Sequence, residues 1–306
     1  MTIFHKAVVV GCGLIGGSLA LVMRERQCVQ YLVGVDADPA SRQLAVELGV
    51  VDFAYSTLAE AVSGADLIIL ATPVRNALAL LRELALLPLM PGCIVTDVGS
   101  TKQEVCKAAG DLLPPSVHFI GGHPMAGSEK SGVEAANERL FDNAVFVLSP
   151  LEDTQPDALQ KMVAMVEQIQ AQPLVLEPDL HDRIVAAISH VPHIIAAQLV
   201  EQVANLSKHT DRGELYTKLA AGGFRSVTRI ASGSANMWRD IVLSNREPIR
   251  ELMTGWLEST EQILGMLEED DGKQIHQFFQ EAAAWRDALP ANLRGAVRAA
   301  HELSID

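Results

Sequence analysis

Residues 11–16, Gly-Cys-Gly-Leu-Ile-Gly, constrain this chain more than any other stretch. They follow an unbroken apolar run, Ala7-Val8-Val9-Val10, and lead into Gly17-Ser18-Leu19-Ala20, where a helical pattern begins. A strand that turns through glycines spaced GxGxxG into a helix is the first βα step of a dinucleotide-binding unit. Gly11 permits the tight turn, Gly13 lets a diphosphate approach the backbone, and Gly16 allows helix and strand to pack closely. Leu14 and Ile15 then open the helix, whose unpaired amide N–H groups and dipole attract an anion. Asp36 ends the next apolar run. A carboxylate there accepts hydrogen bonds from both ribose hydroxyls and repels a 2′-phosphate, so the expected cofactor is NAD rather than NADP. Arg42 lies near enough in sequence to offset part of that repulsion. Thr72 and Pro73, after the run 67–70, complete the expected cofactor set.

Beyond the turn, β-branched runs alternate with helical stretches. The runs are 7–10, 31–35, 67–70, 94–96, 117–120 and 144–148, with a last one at 173–176. Several are apolar throughout, as strands covered on both faces are. Helical patterns fill the gaps at 18–26, 39–48 and 76–87. This is the texture of a doubly wound α/β fold with a mainly parallel, Rossmann-type sheet. From residue 180 onward strand signal is almost absent. Long amphipathic helices are expected at 182–205 and 248–268, with breaks at Gly222-Gly223 and Pro248, and residues 292–306 also read as helical. The expected division is a dinucleotide-binding domain over 1–178 and an all-helical domain over 179–306. The helical half carries enough apolar surface to be buried between two subunits, or against its own first domain.

Composition narrows the partners. A net charge of −14, without a Lys/Arg run, argues against nucleic acid. The four cysteines (Cys12, Cys28, Cys93 and Cys106) have no CxxC spacing or His cluster, so neither disulfides nor a metal site is expected. No charged-then-apolar leader opens the chain, and the apolar runs stop short of the ~20 residues that span a bilayer. A soluble, cytoplasmic protein acting on a small molecule is expected.

Two segments follow strands at the edge where open α/β sheets bind ligands. One is Thr96-Asp97-Val98-Gly99-Ser100-Thr101-Lys102; the other runs from Gly121-Gly122-His123-Pro124 to Gly132. Taken alone, His123 reads more readily as a capping or surface histidine than as a catalytic one. The helical half adds Ser189-His190-Val191-Pro192-His193, where Pro192 removes a backbone donor and disturbs the turn around both histidines. It also holds GGFRSVTRIA (222–231) and MWRDI (237–241). His190 and His193 could be satisfied core histidines, and Arg225, Arg229 and Arg239 could be solvated helix charges.

Together GxGxxG, DVGSTK, GGHPMAGSEKSG, SHVPH, GGFRSVTRIA and MWRDI closely resemble the prephenate/arogenate dehydrogenase family of tyrosine biosynthesis. The resemblance runs in order from about residue 6 to residue 290. It implies a nucleotide-binding domain followed by a helical domain that forms a homodimer. It makes His123 the catalytic histidine and Ser100 its neighbour at the substrate hydroxyl. Arg229 would bind the ring carboxylate, Ser189 and His193 would border the substrate side chain, and Gly222 and Trp238 would line the pocket. Glu129 would stand at the mouth, where pairing with a cation offers a gate.

The implied chemistry is coherent. Loss of hydride from C4 of a cyclohexadienol turns C–OH toward C=O, so the hydroxyl proton becomes acidic. A neutral imidazole, with an ordinary pKa of about 6.5, can take it. Departure of carbon dioxide then aromatises the ring. Two other readings remain at this level. A β-hydroxyacid or imine dehydrogenase of similar build would want a lysine on the first helix of the helical half, where none precedes Lys208. A non-catalytic NAD-binding sensor would not need His123, Ser100 and Arg229 together.

Overall fold

The computed structural model describes residues 2–128 and 130–289. Glu129 and the expected helix at 292–306 lie outside the described residues. Eight strands form one sheet: β1 (Phe4–Val10), β2 (Val29–Val35), β3 (Phe53–Tyr55), β4 (Leu67–Leu70), β5 (Ile94–Asp97), β6 (His118–Pro124), β7 (Val145–Pro150) and β8 (Gln172–Val175). Their order is β3-β2-β1-β4-β5-β6-β7-β8. All neighbours pair in parallel except β6 and β7. Six helices intervene: α1 (Leu14–Glu25), α2 (Pro39–Glu47), α3 (Leu58–Ala61), α4 (Val74–Leu84), α5 (Gln103–Leu112) and α6 (Pro156–Gln168). This is a Rossmann-type doubly wound sheet.

The unbroken apolar runs have the expected cause. Ala7 and Val9 of β1 join a core with α1, α2 and α6, while Val8 and Val10 join one with α3, α4 and α5 on the opposite face. Both faces are covered, so alternation disappears. The three-residue β3 gives no readable signal, because Phe53 is exposed and the strand lies at the sheet edge. Strand β6 extends four residues beyond the expected run, through Gly121-Gly122-His123-Pro124. Antiparallel pairing with β7 sets His123 opposite Val147, so His123 stands in a strand rather than in a following loop.

The chain separates into two compact units, Met1–His181 and Asp182–Leu289. The helical unit contains α7 (Pro178–Val185) from its fifth residue, a π-turn (Ala186–His190), α8 (Val191–Lys208), α9 (Glu214–Lys218), α10 (Gly222–Thr228), a 3-10 turn (Arg229–Ser232), α11 (Ala235–Ser244), α12 (Arg246–Glu268) and α13 (Gly272–Asp287). The π-turn ends two residues before Pro192, whose missing N–H leaves a carbonyl unpaired and widens the ring of hydrogen bonds. The two expected breaks fall at helix starts. Gly222 is the first residue of α10, and Pro248 stands near the start of α12, where its lacking donor costs nothing.

Together α7, the π-turn and α8 make one helix, Pro178–Lys208, that is long and apolar enough by length and composition to cross a membrane. Uncharged Ser, His and Gln interrupt its apolar runs without adding charge. In the unit, Val191, Ile194 and Ile195 pack with Ile249, Leu252 and Met253, while 28% of the apolar window is buried. Large apolar side chains remain exposed elsewhere on the unit, among them Leu243, Leu257, Leu264, Phe279 and Trp285.

Candidate active site

The strand order reverses between β1 and β4, and such a reversal opens a crevice at the carboxyl ends of the strands. The glycine turn occupies that point. Gly11 has φ +93°, and a Cβ there would stand 2.5 Å from the Ala71 carbonyl oxygen and 3.0 Å from Thr72 Cγ2. A Cβ on Gly16 would lie 2.1 Å from the Gly11 carbonyl oxygen. Both positions are therefore glycine by necessity. At Gly13 a Cβ would meet nothing within 4 Å, which leaves open space above the first turn of α1. That turn carries no acidic side chain to compete for its amides.

Asp36 is clamped at the end of β2. Its Oδ2 accepts from the Cys12 amide at 3.0 Å and its Oδ1 from the Asp38 amide at 3.0 Å. Each oxygen keeps a lone pair for a ribose hydroxyl. Arg42 does not pair with this carboxylate; its Nη1 donates to the carbonyls of Asp36 and Ala37. Thr72 Oγ1 is buried without a hydrogen-bond partner among the described residues, a polar atom awaiting one at the crevice. Open space over Gly13, an orphaned hydroxyl at Thr72 and a fixed carboxylate at Asp36 fit a dinucleotide. The four thiols are buried and form no disulfide among the described residues. Burial, and after it the Asp36 charge, pushes the Cys12 thiol up to about 12. Thiolate chemistry is thus unavailable at the turn.

Next to it, one buried carboxylate organises two segments. Asp97 ends β5, and its Oδ2 accepts from the Gly99 amide at 2.9 Å and pairs with the ammonium of Lys102, which is 0% exposed. Its Oδ1 accepts from the Gly122 amide at 3.1 Å. Gly99 precedes Ser100 and Gly122 precedes His123, so both candidate residues are anchored to the same side chain. A Cβ on Gly122 would lie 2.4 Å from the Asp97 carbonyl oxygen, which explains a glycine inside a strand. His123 is half-buried, and its Nδ1 lies 2.8 Å from Nε2 of His181. Sequence reasoning missed His181, Asp97 and Lys102. Glu177-Pro178-Asp179 was a helix start in plain view, with proline and an acid in the first turn. Reading the helix from 178 would have put His181 on that turn.

The other candidates belong to the helical unit. Nδ1 of His193 stands 2.8 Å from the Ser189 carbonyl. A carbonyl only accepts, so Nδ1 carries the proton. The His193 ring also lies against Trp238, with centroids 3.9 Å apart and planes at 30°. His190 is a buried structural histidine: Asn245 Nδ2 donates to its Nδ1 at 3.0 Å and to the Asp182 carbonyl at 2.8 Å. Helix α8 packs against α10, which Gly222 opens, and against the 3-10 turn that Arg229 opens. The three arginines differ. Arg225 donates to the Ala220 carbonyl and Arg239 pairs with Asp240, whereas the exposed Arg229 makes neither a side-chain hydrogen bond nor an ion pair among the described residues.

Sheet, glycine turn and clamped carboxylate define a dehydrogenase of the nicotinamide-dinucleotide class. Residues 19–175 match the model of the prephenate dehydrogenase nucleotide-binding domain, and residues 177–281 match that of the prephenate dehydrogenase dimerization domain. The chain belongs to the prephenate dehydrogenase family. It is 39% identical to the prephenate dehydrogenase of Bacillus subtilis (strain 168) over 297 residues, covering 97% of this chain and 79% of that one. The crystal structure of prephenate dehydrogenase from Aquifex aeolicus, in complex with hydroxyphenyl propionate and NAD+, superposes with a TM-score of 0.87 at 30% identity, covering 94% of this chain and 98% of that one. Synechocystis arogenate dehydrogenase gives a TM-score of 0.80 at 32% identity, over 92% and 99% of the two chains.

Proposed function

We propose that this protein oxidises and decarboxylates prephenate, arogenate or both, with NAD as hydride acceptor, to give 4-hydroxyphenylpyruvate or tyrosine and carbon dioxide. The observation that carries this reading is the shared anchoring of Ser100 and His123 on Asp97, beside a turn built for a dinucleotide. Bound NAD supplies the two-electron acceptor for the hydrogen on C4. His123 accepts the C4 hydroxyl proton as that hydride leaves, and Ser100 orients the hydroxyl. The bond to the ring carboxylate then breaks, and its electron pair enters the ring and ends on the C4 oxygen. His123 returns the proton to that oxygen, so the product is a neutral phenol and no net proton is released. Aromatisation with loss of carbon dioxide makes the step effectively irreversible.

Arg229 is the carboxylate binder; a guanidinium matches a planar carboxylate with two parallel hydrogen bonds. That its side chain makes neither a hydrogen bond nor an ion pair among the described residues supports this role. Ser189 and His193 border the substrate side chain, with Gly222 and Trp238 lining the pocket and Glu129 at its mouth. Since His193 donates through Nδ1, its Nε2 is the ring atom left to face the substrate. Gly11, Gly13, Leu14, Ile15 and Gly16 hold the diphosphate, Asp36 the ribose, and Thr72 and Pro73 border the cofactor. Residues 1–178 form the NAD-binding domain and 179–306 the substrate domain. The exposed apolar side chains of the helical unit and its dimerization-domain match support a homodimer formed there. The protein works in the cytoplasm on a small molecule, away from membranes and nucleic acid.

Steady-state kinetics with both substrates and with NAD and NADP, read at the NADH absorbance band, test the proposal. Turnover with NAD and at least one substrate is expected; no signal with either substrate would sink it.

A further inference from the structure

We propose that His181 is a positioning residue that keeps the His123 ring in the tautomer with its proton on Nδ1. This rests on the reading of His123 as the base. The supporting geometry lies wholly within the sheet unit. Nδ1 of His123 and Nε2 of His181 are 2.8 Å apart, with the rings edge to face at 76° and centroids 5.1 Å apart. At that distance one nitrogen carries the proton and the other offers a lone pair.

Two neutral arrangements satisfy the bond. If His181 Nε2–H donates, His123 has its proton on Nε2 and no lone pair left with which to take the substrate's proton. If His123 Nδ1–H donates, its Nε2 is a base. Only the second arrangement performs the reaction, and it requires His181 to be neutral with its own proton on Nδ1. The pairing is that of a catalytic histidine with its orienting partner, here an imidazole in place of the usual carboxylate. A neutral acceptor adds no charge beside the imidazolium, so its contribution is the choice of tautomer and the aim of the ring.

His181 is built to hold still. It is 1% exposed and stands in the first turn of α7, where its amide donates to the Glu177 carbonyl at 2.9 Å. Asp179 of the same turn accepts from Gln103 Nε2 at 3.2 Å. Gln103 opens α5, immediately after the Asp97–Lys102 pair that anchors Ser100. The partner of the base is thus tied to the helix that follows the Ser100 turn.

The test uses the full chain labelled with 15N-histidine, as wild type and as His181→Gln and His181→Leu, with His123→Gln to assign resonances. Long-range proton–nitrogen correlation reads the His123 tautomer without turnover. The expected wild-type spectrum shows a protonated Nδ1 and a bare Nε2 on His123. His181→Leu should populate the other tautomer and lower kcat by about 10- to 100-fold while moving substrate KM and NAD affinity less than about 3-fold. His181→Gln, which restores an acceptor oxygen near the Nε2 position, should recover most of kcat. A wild-type proton on His123 Nε2, an unchanged kcat in His181→Leu, or a glutamine variant no better than leucine would overturn the inference. If His181→Leu does not fold, the wild-type tautomer and the glutamine kinetics decide. Normal turnover by His123→Gln would instead fell the underlying reading, leaving the imidazole pair as a fact of structure.

Discussion

In the sheet unit, the chief candidate residues hang on backbone. Asp36 is held by two amides, Asp97 by two amides and a buried ammonium, and His123 by a strand paired on its β7 side. In the helical unit several stand on short elements or few contacts. Arg229 opens a 3-10 turn and is exposed, Gly222 opens a seven-residue helix, and His193 depends on one carbonyl and one indole face. The first arrangement suits groups that must meet a reacting atom to within a fraction of an ångström. The second suits groups that recognise a substrate which must enter and leave. Chemistry and recognition are therefore expected to separate by unit.

Mutations can break that separation. His123→Gln should lower kcat by about 10²- to 10⁴-fold with little change in NAD affinity, measured by steady-state kinetics and cofactor titration. A tenfold rise in KM with kcat intact would instead move His123 to recognition. Arg229→Ala should do the reverse: loss of a charge-assisted bond worth about 1.5–3 kcal/mol raises substrate KM roughly 10- to 100-fold, with a smaller effect on kcat. Equal loss in both parameters would mean that the arginine contributes mainly in the transition state. Asp36→Ser should weaken NAD and improve NADP, shifting their kcat/KM ratio about tenfold, the value of roughly 1.4 kcal/mol. No shift would place ribose recognition elsewhere.

The smallest effect concerns alkaline stability. Burial raises Cys12 and Cys93 from 9.0 to about 12 and Cys28 to about 11. The folded state thus binds these protons more tightly than the unfolded chain. Their stabilisation is complete below pH 9 and is lost as pH rises through the folded values, at about 1.4 kcal/mol per thiol per unit. All three belong to the sheet unit, whereas Trp238, Trp256 and Trp285 all belong to the helical one. Between pH 8 and 10.5 the circular-dichroism melting transition should drop further than the one followed by tryptophan fluorescence. Equal drops would show that the thiols do not distinguish the units.

The same contrast governs what could be read in advance. The cofactor half was legible because its constraints are local. A glycine forced by a carbonyl at 2.1 Å or an acid at a strand end leaves a fixed spacing in the chain. β3 escaped because one exposed and two half-buried edge residues make no pattern. The extension of β6 through two glycines escaped because packing against Asp97 and pairing with β7 overrode a poor strand propensity. In the helical half no spacing distinguishes Arg229 from Arg225 or Arg239; only resemblance singles it out, since Arg225 lacks an ion pair among the described residues as well. His181 was invisible for a further reason: its partner lies 58 residues away and meets it only through the fold.

The most direct measurement is the stoichiometry of one reaction. With prephenate or arogenate and NAD, NADH, carbon dioxide and the phenolic product should appear in a ratio of one to one to one, with no net release of protons. NADH formed without carbon dioxide, or no NADH with either substrate, would contradict the assignment.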